Sequence, residues 1–417
     1  MRTTGPLSLS PFRRLISAYV INSLGTWSGE IALAVLVLQE TGSPAAVSAV
    51  FLCGQAVPAL FSPALTTGLE EVRPAVSLPA LLLLEALCFA LLSGIGLPGL
   101  PLLLLIVAID GVAALSVRSL TKATMLAVTE PAGLLREGNS AYVSAFTLCA
   151  AAGPVLAGLM VGAGDPRAAL AFNGLTFVLA AVGLGVRARL PHRGLEVGAR
   201  VFRARAMAGL AYIRERRTLR RLIATDVAAA FLGAVILPIE VVLVTGTLGA
   251  DETAYGLVLS AWGAGCVAGG LLAGRLRRRP VGSLIGVSLT IIGLSYMGMG
   301  VAGSVTALVV LSVAGGVANG VEAFALMTAI QERTADAFQV RVTGLVDGLC
   351  SAALGGGIVL GGIAASLASP RVAYVLAGCG LLIAAGVATS DLRVRRRARN
   401  PGGLIGHDIG SSSSVVL

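Results

Sequence analysis

Seven carboxylates stand inside long apolar stretches of this 417-residue chain: Glu30, Glu85, Asp110, Asp226, Glu240, Glu322 and Asp347. If those stretches cross a bilayer, an ionised carboxylate near the middle costs about 2.5–3.5 kcal/mol on insertion scales, so such groups face a cavity or a partner and act there. The chemistry open to them is proton exchange, which asks for a carboxyl desolvated enough to bind and release a proton in the physiological range. By depth, Glu30, Asp110, Glu240 and Glu322 fit that task. Asp226 and Asp347 lie within a turn or two of a polar segment and read as interfacial or capping residues. Spacing gathers the polar groups on single helix faces: Asn22, Thr26 and Glu30 advance by four, Asp226, Gly233 and Glu240 by seven, and Ser312, Asn319 and Glu322 share one side. Both histidines, His192 and His407, fall in polar segments, so a relay inside the membrane has only carboxyls to use.

The elements that must position these groups follow from composition. Hydrophobic residues make up 56% of the chain and charged residues only 12%, and mean hydropathy is +0.89. Soluble domains carry about 25% charged residues. A spanning helix needs roughly 20 mostly apolar residues. Such windows recur at 15–38, 44–68, 74–96, 100–124, 138–163, 167–187, 221–246, 253–275, 281–303, 305–330, 341–367 and 370–390. The sequence therefore predicts an all-α membrane protein of twelve transmembrane helices. Arg2, Arg13 and Arg14 precede a first window too long for a signal-peptide core, so the first span is expected to be retained.

Charge orients the spans. With the N-terminus in the cytoplasm, all 31 Lys and Arg except Arg167 and Arg371 fall on the cytoplasmic side. A missed span would scramble that segregation. The formal net charge of +10 is then a solvated face beside anionic lipid, not a nucleic-acid surface. Expected is a multi-pass protein of the inner (cytoplasmic) membrane with both termini cytoplasmic, acting as a monomer.

The one long basic connection divides six spans from six. The predicted organisation is a cytoplasmic N-terminal segment (1–14), a six-helix bundle (15–187), a basic cytoplasmic linker (188–220), a second six-helix bundle (221–390) and a disordered cytoplasmic tail (391–417). A shift of about 206 residues lays Leu24-Gly25 near Leu232-Gly233 and Gly153-Pro154-Val155-Leu156-Ala157-Gly158 over Gly357-Ile358-Val359-Leu360-Gly361-Gly362, a weak repeat of the kind transporter halves carry. The 54 glycines include small-xxx-small pairs that mark close helix packing: Gly25/Gly29, Gly158/Gly162, Gly265/Gly269, Gly270/Gly274, Gly316/Gly320 and Gly357/Gly361. The six cysteines lie in apolar stretches with no CxxC and no neighbouring His, so they read as packing residues, and no metal or other cofactor is expected.

Several motifs together resemble the major facilitator superfamily, in its twelve-helix bacterial drug and metabolite exporter (proton antiporter) branch, over residues 11 to 392. They are Phe12-Arg13-Arg14-Leu15 leading to Asn22 through Trp27, Thr41-Gly42-Ser43, Arg118-Ser119, Gly153-Pro154 with Gly158, Ala169 to Thr176 with Asn173, Tyr255-Gly256, Asn319-Gly320, and Arg341-Val342 opening span 11. The resemblance implies two pseudo-symmetric bundles with a central cavity lined by spans 1, 4, 7 and 10, and so places Glu30, Asp110, Glu240 and Glu322 on it, with Asn22, Thr26 and Asn319 as its polar lining. Glu85, on span 3, then reads as a packing hydrogen-bonder. Gly153, Pro154 and Gly158 resemble the helix-5 signature of antiporters, read either as a rocking bend or as a plain packing kink. In the 2–3 loop the family carries an aspartate as a gate partner to the start of span 11; here Glu70 stands at that place, so Glu70 or Glu71, with Arg341, is expected to hold the gate. Thr26 stands where many relatives have an aspartate, so no coupling role carries to it. Arg118 is expected to snorkel, with pairing to a carboxylate or contact with an anionic substrate as the alternative, and Lys122 is expected to snorkel at the interface.

The implied activity is secondary active export of small amphiphilic molecules, a drug or secondary metabolite, by alternating access in exchange for protons, with an importer or facilitator of a small metabolite as the rival reading. A non-transporting sensor or scaffold would want a large soluble domain, which is missing. An enzyme would want a HExxH helix or a GxSxG elbow, and an ATP-driven pump a GxxxxGK[ST] loop; the sequence has none of these.

Overall fold

The computed structural model describes residues 5–58, 73–94, 99–162, 165–185, 190, 207, 209–276 and 279–399. They form twelve principal helices: α1 (Ser10–Thr41), α2 (Pro44–Phe51), α3 (Pro74–Gly94), α4 (Leu100–Thr129), α5 (Leu135–Gly162), α6 (Pro166–Gly185), α7 (Arg217–Ile236), α8 (Glu252–Arg275), α9 (Val281–Val301), α10 (Val305–Glu332), α11 (Asp336–Leu367) and α12 (Pro370–Arg399). Among the described residues nine helices are long and apolar enough to cross a membrane. No strand occurs among them.

Local chemistry sets the helix ends. α1 stops at Gly42, whose left-handed φ of 61° lets its N–H reach the Leu38 carbonyl at 2.8 Å. Ser43 then caps α2, Asp251 caps α8 and Ser304 caps α10, each side-chain oxygen accepting a hydrogen bond from the N–H three residues on. Two expected spans are not uniform helices. α2 passes into a π-helical turn, Leu52–Ala56, and the rest of that expected span lies outside the described residues. The span expected over 221–246 is broken: α7 ends at Ile236, a turn carries Pro238, and a π-helical segment Val242–Thr247 follows. Proline supplies no N–H to the helix ladder, which accounts for the break.

The halves repeat each other in space. α1 packs on α5 and α6, as α7 packs on α11 and α12; α3 packs on α4 and α6, as α9 packs on α10 and α12. The aligned glycine segments occupy matching places. Gly153 lies against the Trp27 side chain on α1, and Gly357 against Phe231 on α7; Gly158 meets α8 at Gly256, and Gly362 meets α2 at Ser48. Five of the six small-residue pairs contact a neighbouring helix, while a Cβ added at Gly270 or Gly274 would meet nothing within 4 Å among the described residues.

Within the linker, residues 209–215 are helical, and Tyr212 docks this piece on the junction of α10 and α11. Its ring stacks on Phe338 at 4.3 Å, and its hydroxyl accepts a hydrogen bond from the Ala335 N–H at 2.9 Å. The backbone of α12 stays helical through Arg399, past the expected end near 390, and residues 400–417 lie outside the described residues.

Glycine contacts of this kind tolerate no side chain. A Cβ at Gly265 would stand 2.6 Å from the Val313 carbonyl oxygen, and overpacking costs about 1–3 kcal/mol. Gly265→Val should lower the thermal midpoint of purified protein by several degrees, whereas Gly270→Ala should leave it within a degree or so of the parent; differential scanning fluorimetry reads both.

Candidate functional site

A cavity of about 390 Å³ opens in the N-terminal half. It is walled by α1, α2 with its π turn, α3 and α4, with Phe146 of α5, Phe177 and Leu184 of α6, and Ser351 and Leu354 of α11. The polar strip expected on α1 faces into it: Asn22, Thr26 and Glu30 all line the wall, and the Thr26 hydroxyl donates to the Asn22 carbonyl oxygen at 3.0 Å. Gly25 and Gly29, on a neighbouring strip of α1, press against Asn173 and Thr176 of α6, which fixes how α1 is turned. The π turn has a local cause in packing, because Gly111 of α4 lies directly against the Gly54 carbonyl. Bulges of this type recur at functional positions, and this one brings Gln55 to the cavity wall.

Three carboxylates line this cavity. Glu30 from α1 and Asp110 from α4 are joined by Glu85 from α3, which is only 1% exposed. Glu85 Oε2 and Asp110 Oδ1 are buried and have no hydrogen-bond partner among the described residues. Arg118, on the same wall, lies within electrostatic range of Glu30 and Glu85. One sequence expectation is corrected by this arrangement: Glu85 lines the cavity with a buried, unpartnered oxygen and does not serve as a packing hydrogen-bonder among the described residues. The missed signal was hairpin arithmetic: α3 and α4 are antiparallel and joined by a short connection, and Glu85 and Asp110 stand nearly equally far from it, so they share one depth.

The C-terminal candidates lie elsewhere. Glu240, Asn319 and Glu322 are not on this cavity. Glu240 follows the Pro238 break and is 7% exposed; Glu322 on α10 is 4% exposed. Around them is an aromatic core in which Trp262 stacks on Tyr296 at 5.3 Å and Tyr296 meets Tyr374 edge-on at 6.0 Å. Asn319 accepts from the Cys266 thiol at 3.3 Å. Glu240 and Glu30 each lie within electrostatic range of the buried Tyr255 on α8.

The halves touch at the end of the bundle opposite the two termini. There Gly158 of α5 meets Gly256 of α8, with a built Cβ 2.7 Å from the Gly256 Cα, and Gly162 meets Thr253. Gly355 and Gly362 of α11 meet Ala56 and Ser48, and Gln39 Nε2 at the end of α1 donates to Glu252 Oε1 at the start of α8 at 2.8 Å. α5 stays helical through Gly153, Pro154 and Gly158. Both basic residues on this side of the charge partition are tied down: Arg167 pairs with Glu40 at 2.8 Å, and Arg371 donates to the Gly300 carbonyl at 3.3 Å. As for the expected gate, Glu70 and Glu71 lie outside the described residues. α11 starts at Asp336, so Arg341 stands inside its first two turns and does not open it.

Two six-helix halves that meet at one end beside a buried, acid-lined cavity are the architecture of an alternating-access membrane transporter. The chain belongs to the transmembrane secretion effector family of the major facilitator superfamily, whose family model matches residues 1–400. Its fold is similar to that of the nucleoside transporter NupG, with a TM-score of 0.75, 12% identity, and coverage of 91% of this chain and 99% of that one. It is similar also to a bacterial homologue of the human lysosomal transporter Spinster in an inward-facing and occupied conformation (TM-score 0.73, 14% identity, 94% and 98% covered). The POT family transporter PepTSo is a third such neighbour (TM-score 0.70, 10% identity, 93% and 98% covered). No curated protein matches the chain. Family and neighbours are transporters, not enzymes.

The glycine contact between α5 and α8 leaves no room for a larger residue. Gly158→Leu should wedge the halves apart at that end and raise the maleimide labelling rate of a cysteine introduced at Ser48 severalfold in purified protein. Site-resolved mass spectrometry reads the rate, and an unchanged value would show that the contact does not control access.

Proposed function

We propose that the protein is a secondary active transporter of the cytoplasmic membrane that exports small amphiphilic molecules, drugs or secondary metabolites, by alternating access in exchange for protons, working as a monomer with both termini in the cytoplasm. The observation that carries this reading is the placement of Glu30 and Asp110, two deep carboxyls, on the wall of a cavity beside glycine contacts that join the halves at the end opposite the termini. The partition of Lys and Arg supports a cytoplasmic position for the end that bears the termini, so the glycine joint is assigned to the outer side. The family's description as a secretion effector supports the outward direction.

In this mechanism the substrate enters from the cytoplasm or the inner leaflet while the glycine faces of α5/α8 and α2/α11 hold the outer side shut. Rocking of the halves then exposes the cavity outward, where the substrate leaves and a carboxyl takes up a proton. Return to the inward state carries that proton to the cytoplasm. Glu30 and Asp110 are assigned the proton, Asn22 and Thr26 the substrate's polar contacts, and Gly153, Pro154 and Gly158 the bend on which α5 moves. Glu70 or Glu71 with Arg341 are proposed to close the cytoplasmic side. Glu240 and Glu322 remain proposed protonation sites of the other half, acting on its rearrangement.

Inverted membrane vesicles supplied with fluorescent amphiphiles test this. Uptake of at least one amphiphile should be stimulated by an inward-acid proton gradient; Glu30→Gln should cut that stimulation at least tenfold while gradient-independent exchange persists, and Asp110→Asn should cut the stimulation at least tenfold. Stimulation of normal size in both variants would remove the assignment, and uptake confined to right-side-out vesicles would reverse the direction.

A further inference from the structure

We infer that the cavity is built to bind an organic ammonium ion, a protonated amine on an aromatic or aliphatic body, with Glu85 and Asp110 as the groups that hold the nitrogen. This deepens the export reading and rests on it for the claim that the bound cation is cargo. Three carboxylates and one guanidinium share the wall, so with its acids ionised the cavity carries net negative charge, and a cation is the ligand that balances it. Two of those acids also carry unmet hydrogen-bonding capacity. Glu85, 1% exposed, and Asp110 each present a buried oxygen with no partner among the described residues. Such atoms are costly to leave unmade, and the N–H donors of an ammonium group are what both accept.

The remaining wall chooses the kind of cation. No cluster of three or more metal-ligating side chains occurs among the described residues, so the acids do not converge as a metal ion requires. Instead aromatic rings stand beside them: Trp27, Phe89 and Phe177 line the same space, the two phenylalanine rings 5.6 Å apart. Ring faces attract a cation and also bury its hydrocarbon body. A volume of about 390 Å³ suits a small drug-sized molecule.

Three naphthyl probes of one shape separate charge from hydrophobicity: 2-(1-naphthyl)ethylamine, its neutral N-acetyl derivative and 1-naphthylacetate. Equilibrium dialysis against the full-length protein in lipid nanodiscs, without a gradient, should show the amine bound at least tenfold more tightly than the neutral probe, with the acetate weakest. Glu85→Gln and Asp110→Asn should each erase that preference while leaving neutral-probe binding within about twofold, Glu85→Asp should restore part of it, and Glu332→Gln on the exposed end of α10 should change nothing. Equal binding of amine and neutral probe, or preference for the acetate, overturns the inference, as does an amine preference that survives in both carboxyl variants. If Glu85→Gln does not fold, as gel filtration would show, Asp110→Asn decides. Gradient-driven uptake of other amphiphiles without amine binding would defeat this inference alone; amine binding without gradient-driven uptake would defeat the export reading alone.

Discussion

Everything in this molecule answers to the cost of placing a charge in hydrocarbon. That cost sweeps nearly all Lys and Arg to one side of the twelve spans, and it ties each exception, Arg167 and Arg371, to an oxygen acceptor. It also makes the interior acids conspicuous. Glu30, Glu85 and Asp110 are tolerated because three helices turn them toward one cavity, and Glu240 and Glu322 because an aromatic core encloses them.

Lipid tails give helices no hydrophobic reason to associate, so the halves are joined by shape. Glycines at matching positions of α5 and α11 let the α5 backbone meet the α8 backbone at Gly256 and let α11 meet the Ser48 side chain of α2, and the same segments seat Trp27 and Phe231 at equivalent places. Among the described residues these contacts lie toward the end opposite the termini, where Gln39 donates to Glu252 across the halves. A contact of that sort can part without exposing a large apolar face, which is what a rocking transporter needs.

Much of this was legible in the sequence. Apolar windows and basic segregation predicted helices whose ends fall close to those observed, and the Gly153–Gly158 repeat pointed to residues that meet across the halves. Other features depend on which faces meet in three dimensions. Pro238 inside span 7 marks a break, yet nothing in its position announces the π-helical segment Val242–Thr247 that follows. Glu85 was discounted because its helix was weighed by family habit and not by depth, although a short α3–α4 connection already sets it beside Asp110. That Tyr255 of α8 lies within range of both Glu30 and Glu240 could not be read from spacing, which orders residues along one helix and is silent on which helices meet.

The central claim is that acids on the N-terminal cavity exchange a proton for cargo. Proteoliposomes loaded with a pH-reporting dye test it most directly: an imposed gradient of a transported amphiphile should drive opposing proton movement, and Glu30→Gln should abolish it while cargo exchange continues. Cargo movement with no accompanying proton flux, or proton flux undiminished in that variant, would contradict the account.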